Sequence, residues 1–119
     1  MTVPPDFTFL TPWRELRDSE PGLNRKKLLS ELRKEVPVGH VLHGVKANAI
    51  ATRADQDDVL FELEGGEKVL AVVHMTWKVE TDPQWPRTRL FSSWEEWVRE
   101  AMRPDHEDYI FPEKADYDS

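Results

Sequence analysis

The chain has 119 residues, 33% of them charged and 39% hydrophobic, with a formal net charge of −7 and no cysteine. That size bounds one domain, 1–119, with a single modest core, and that mixture excludes both a disordered chain and a membrane span of roughly 18 apolar residues. The acidity disfavours nonspecific nucleic-acid binding, and the missing cysteines exclude disulfides, thiolate metal sites and a cysteine nucleophile, with cytoplasm as the expected compartment.

Residues 1–18 combine Pro4, Pro5 and Pro12 with Phe7, Phe9, Leu10 and Trp13. Such a segment makes no long helix, and its aromatics suit an arm tied across the core, with a short helical turn at Trp13 to Arg17. The opening MTVPPDFTFLTPW lacks a basic segment followed by an apolar one, so no signal peptide is expected. Glu20 to Val36 reads as the first helix, with Leu28, Leu29, Leu32 and Val36 on one stripe and Pro37 as its stop. Two starts compete: a Ser19 cap, or an Asn24 cap with a Leu23–Leu28 staple. Arg25, Lys26, Lys27, Arg33 and Lys34 crowd this helix, but Glu31 and Glu35 interrupt them at helical spacing, so the cluster reads as a solvated face with ion pairs.

Val38 to Gly44 is a connector carrying His40 and His43. Val45 to Arg53 then alternates, with Val45, Ala47, Ala49 and Ala51 assigned to one face. After the turn at Asp55-Gln56-Asp57-Asp58, a strand carries Val59, Phe61 and Leu63. Glu64-Gly65-Gly66-Glu67 reads as a tight hairpin in which both glycines take positive φ. The most hydrophobic run follows from Val69. Period two places Val69, Ala71, Val73, Met75, Trp77 and Val79 on one face and Leu70, Val72, His74, Thr76 and Lys78 on the other. That strand is expected to end near Val79, before Pro83 and Pro86, which hold Trp85 in a stiff corner. Thr88 to Phe91 is a short fourth strand. Ser92 and Ser93 before Glu95 and Glu96 make a capping box for a helix whose stripe is Trp94, Trp97, Val98, Ala101 and Met102, with Pro104 as its end. Residues 105–119 form an acidic, loosely held tail.

Candidate chemistry is sparse. His40 and His43 are three apart, and His74 is the obvious third ligand of a metal site, against a reading of three ordinary histidines. An EF-hand loop opening at Asp55 needs Glu where Gly66 stands, and one opening at Asp57 needs it where Lys68 stands, so the acidic turn is not a calcium loop. Asp57 or Asp58 with His74 is an acid–base pair in inventory only. P-loop, dinucleotide and nucleophile-elbow motifs are all missing.

The segments Asp58-Val-Leu-Phe-Glu-Leu, Val73-His-Met-Thr-Trp77, Asp82-Pro-Gln-Trp-Pro86 and the helix from Trp94 to Met102 resemble a group of small uncharacterised bacterial proteins. Those carry a similar His-hydrophobic-Thr-Trp strand and Pro-x-Trp-Pro corner. The likeness covers residues 13–108 in outline. It implies a bacterial, cytoplasmic, stand-alone domain and supplies no catalytic residue.

The expected fold is α+β, an antiparallel meander of three to four strands with the two main helices packed on one face. The expected function is a noncatalytic interaction or accessory module without cofactor, binding a protein partner or itself through Trp85, Trp77 and His74, and neither nucleic acid nor membrane. The alternatives are a small metal-assisted hydrolase using His40, His43 and His74, and a small-molecule-binding domain.

Overall fold

A computed structural model describes residues 3–16 and 24–111. The candidate Ser19 cap with the Glu20 start, Leu23 of the staple and the tail beyond residue 111 lie outside the described residues. Five antiparallel strands form one sheet in simple meander order: β1 (Trp13–Glu15), β2 (Ala47–Arg53), β3 (Asp58–Leu63), β4 (Leu70–His74) and β5 (Thr88–Phe91). The expectation of three to four strands is thus corrected to five. The extra strand is β1, where a helical turn was expected; it pairs Trp13 with Arg53 and Glu15 with Ala51, about forty residues away. A three-residue edge strand carries no periodicity of its own, so only its partner reveals it.

The first helix, α1 (Arg25–Glu35), starts at the Asn24 cap, whose side chain accepts from the Lys27 amide at 3.0 Å. Its Leu28 and Leu32 pack on a core with Ala47, Ala49, Val59, Phe61, Ala71 and Val73. The second helical stretch packs on Ile50, Ala51, Leu60, Leu70, Val72 and Phe91 through Trp97, Ala101 and Met102. Those two residue sets alternate along β3 and β4, so they lie on opposite faces of the sheet. The helices therefore sandwich the sheet; packing on one face is the second part of the fold expectation that fails. The physical reason is that β4 is apolar on both sides, and each face needs its own cover.

A bulge in β2 adjusts the faces. Ala49 pairs with Phe61 but Ala51 pairs with Leu60, which makes Ile50 the extra residue. Ala51 is thereby carried to the face opposite Ala47 and Ala49, against the one-face assignment, and Arg53 and Trp13 follow it. At the β3–β4 hairpin only Gly65, not both glycines, takes positive φ.

The second helical stretch begins as α2 (Trp94–Trp97), capped by Ser93, which accepts from the Glu96 amide at 3.0 Å while the Glu96 carboxylate accepts from the Ser92 amide. It widens into a π turn at Val98–Met102 and continues as α3 (Arg103–Ile110), so Pro104 does not end it. Proline has no N–H for the carbonyl four residues earlier and crowds it. The π turn absorbs the mismatch, with the Arg103 amide donating to the Val98 carbonyl, and the Glu100 carbonyl accepts instead from the Arg89 guanidinium at 3.1 Å. Phe7 and Phe9 of the N-terminal arm stack edge-on against Trp94 and Trp97, closing this face. Among the described residues no helix is long and apolar enough to cross a membrane.

Candidate functional site

The chain leaves β4 after His74, well short of the expected end near Val79. The Met75 amide still reaches the Asp57 carbonyl at 2.9 Å, and the Met75 side chain is buried on the α1 face. The next two amides turn away from the sheet toward Glu35, the last residue of α1. Glu35 has no accessible surface. One carboxylate oxygen accepts from the Thr76 amide at 2.8 Å and the Thr76 hydroxyl at 3.1 Å, and the other accepts from the Trp77 amide at 2.8 Å. Burial is the largest influence on this carboxyl and holds its pKa above the ordinary glutamate value; the neighbouring Glu31 adds to the rise, and the three donors oppose it.

That clamp fixes an unusual backbone. Trp77 takes φ 62°, a left-handed conformation that costs a side-chain-bearing residue roughly 1–2 kcal/mol. Its indole is not the compensation for that cost, since 43% of the residue stays exposed. Trp77 stands at the rim of a recess of about 540 Å³ whose other walls include Leu28, Thr52, Asp55, Asp57 and Val59. The two neighbouring segments carry the most exposed large hydrophobic residues of the described chain, Val79 at 71% and Val38 at 79%. The segments are joined at several points: Glu35 to Thr76 and Trp77, Gly39 against Pro83, and His40 against Pro86.

The other residues singled out in the sequence fall apart into separate roles. His40 is buried, and its Nδ1 accepts from the Leu42 amide at 2.9 Å, so Nε2 carries the proton and donates to the Pro86 carbonyl at 2.8 Å. Both ring nitrogens are thereby used to hold the connector against the Trp85-Pro86 corner. His43 is exposed in the connector. His74 is on the sheet face opposite α1, paired through Nδ1 with Asp58 at 2.7 Å. The structure does not bring the three histidines together, and among the described residues no group of three His, Cys, Asp or Glu side chains is placed to hold a metal ion. Trp85 is half-buried, with the Arg87 guanidinium carbon 5.0 Å from its ring centroid.

Glu35 is the residue that the sequence reading misassigned. Glu31 does pair with Lys34, at 3.5 Å, as a solvated helix face requires. Glu35 does not belong to that face: it lies seven residues after Leu28 and three after Leu32, in line with the buried stripe. That spacing was the available signal.

No family model, curated protein or solved structure matches the chain.

Proposed function

We propose that the protein is a noncatalytic interaction module of the bacterial cytoplasm, which docks a protein partner on the surface centred on Trp77. The observation that carries this reading is an exposed indole on a left-handed backbone, clamped by a buried carboxylate. Stability alone favours neither the conformation nor the exposure, and strained residues held by their surroundings cluster at functional positions. Tryptophan is also the side chain most enriched among residues that dominate binding energy. The resemblance to small bacterial proteins with the same strand and corner supports a stand-alone domain.

The partner's contact surface is basic. A net charge of −7 steers a cationic partner and repels nucleic acid, and Asp57 lines the Trp77 recess beside the Arg53–Asp55 ion pair. Trp85, half-buried under Arg87, is secondary to Trp77 in this surface.

The test is affinity capture with the wild type, Trp77→Ala and Trp85→Ala, each first checked for folding by its melting curve. A basic protein held by the wild type, released by rising salt and lost with Trp77→Ala is the expected result. Capture that is indifferent to residue 77 in a folded variant refutes the docking surface. Return of the protein alone, as a dimer by sedimentation, transfers the same surface to self-association.

A further inference from the structure

On the sheet face opposite α1, the strands carry a polar row past the end of the apolar core. Trp13 pairs with Arg53 across β1 and β2, and Asp58 pairs with His74 across β3 and β4. The Arg53 guanidinium reaches Asp58 at 3.5 Å, and the His74 amide donates to the Arg87 carbonyl at 2.9 Å. One step up the ladder, Val72 pairs with Arg89. The row floors a cavity of about 650 Å³ walled by Gln84, Arg87, Thr88 and Arg89 on one side and by Asp105 of α3 on the other.

Charge in this cavity is divided unequally. Both carboxylates are committed within the protein. Asp58 holds His74 and Arg53, while Asp105 accepts from the Trp13 indole at 2.9 Å and lies 3.5 Å from Arg53. Burial is the main influence that raises the Asp105 pKa, with Trp13, Arg53 and Arg89 acting against it. Arg53 is thus offset by Asp55, Asp58 and Asp105 together. Arg87 and Arg89 are different: among the described residues neither makes an ion pair. Arg87 lies over Trp85, and Arg89 spans from Phe91 to the Glu100 carbonyl that Pro104 leaves open. His74 spends Nδ1 on Asp58, which leaves Nε2 uncommitted on a half-exposed ring.

We infer that this cavity is a binding site for a phosphoryl dianion, with Arg87, Arg89 and His74 as its ligands. Two guanidinium forks from successive same-face positions of one edge segment suit the oxygens of a tetrahedral anion. The Asp58 carboxylate holds the His74 ring through Nδ1, so that Nε2 faces the cavity and shares a proton with a third oxygen of the anion. The aromatic faces under both guanidinium groups restrict their motion and lower the ordering cost of binding. In a chain of net charge −7 this is a local cationic cavity, and it lies on the face opposite the helix that anchors the Trp77 clamp. It does not rest on the interaction reading.

The test is a titration of the ¹⁵N-labelled protein with inorganic phosphate, methyl phosphate and acetate at constant ionic strength, repeated with Arg87→Met and His74→Gln. The expected result is saturable shifts confined to residues 84–89 and His74, with a dissociation constant of about 1 mM or tighter. Each variant is expected to weaken binding about tenfold while melting as the wild type does. Tighter binding of methyl phosphate identifies a phosphomonoester as the source, and equal or weaker binding identifies free phosphate. Absence of saturation, acetate binding as tight as phosphate, or equal affinity in both folded variants overturns the proposal.

Discussion

Replacing Glu35 with glutamine tests the clamp beneath Trp77 with a change of almost no volume. The carboxylate serves three donors with two acceptor oxygens, at 2.8, 3.1 and 2.8 Å. Glutamine keeps one acceptor oxygen. In either orientation its NH₂ group faces a donor, and the Thr76 or Trp77 amide loses its partner. A lost hydrogen bond to a charged group is worth about 1.5–3 kcal/mol, and relief of carboxylate desolvation returns part of it. The expected net loss is about 2 kcal/mol, or roughly 8 °C in Tm for a chain of this length. The pH dependence carries its own sign. Because the folded-state pKa of Glu35 is raised, its stabilising contribution is complete below the ordinary glutamate value of 4.5 and is lost as pH rises through the higher folded-state value. Glutamine does not titrate, so the pH slope that Glu35 contributes to wild-type stability is absent from Glu35→Gln. Urea unfolding followed by tryptophan fluorescence between pH 5 and 8 measures both quantities. A deficit under about 0.5 kcal/mol throughout refutes the clamp.

Two further expectations bear on the same machinery. Trp77→Gly and Trp77→Ala remove the same indole, but only glycine adopts φ 62° freely, so Trp77→Gly is expected to be the more stable by about 1 kcal/mol in urea unfolding; the reverse order removes the argument from backbone strain. Trp13→Phe deletes the indole N–H that Asp105 accepts at 2.9 Å, and its destabilisation of about 1–3 kcal/mol is expected to diminish as acid protonates Asp105, which a pH series of melting curves checks.

The short-range features of this fold were legible in the residues themselves. The Asn24 cap of α1, the Ser93–Glu96 box and the apolar period-two runs of β3 and β4 each depend on neighbours a few positions away. Register was harder. A two-residue turn at Gly65-Gly66 pairs Glu64 with Glu67 and sets Asp58 opposite Val73. The looser loop instead sets Asp58 opposite His74, and one residue of slip decides whether the polar row exists. Arg53, Arg87, Arg89 and Asp105 carried no signal as a group, since they come from three separate segments.

The sequence by itself determined which segments become strands or helices wherever an apolar stripe or a cap was present, because those preferences act over one or two turns of chain. Only the tertiary structure decided that β1 pairs with β2, that the bulge at Ile50 carries Trp13 and Arg53 to the face opposite α1, and that the helices take opposite faces. It also decided that α1 ends on a buried carboxylate, and that the helix runs past Pro104 because a distant arginine satisfies the carbonyl the proline abandons. Each of those outcomes depends on a partner far away in the chain, and a hydrogen bond or a buried face has no meaning until the group that completes it is in place.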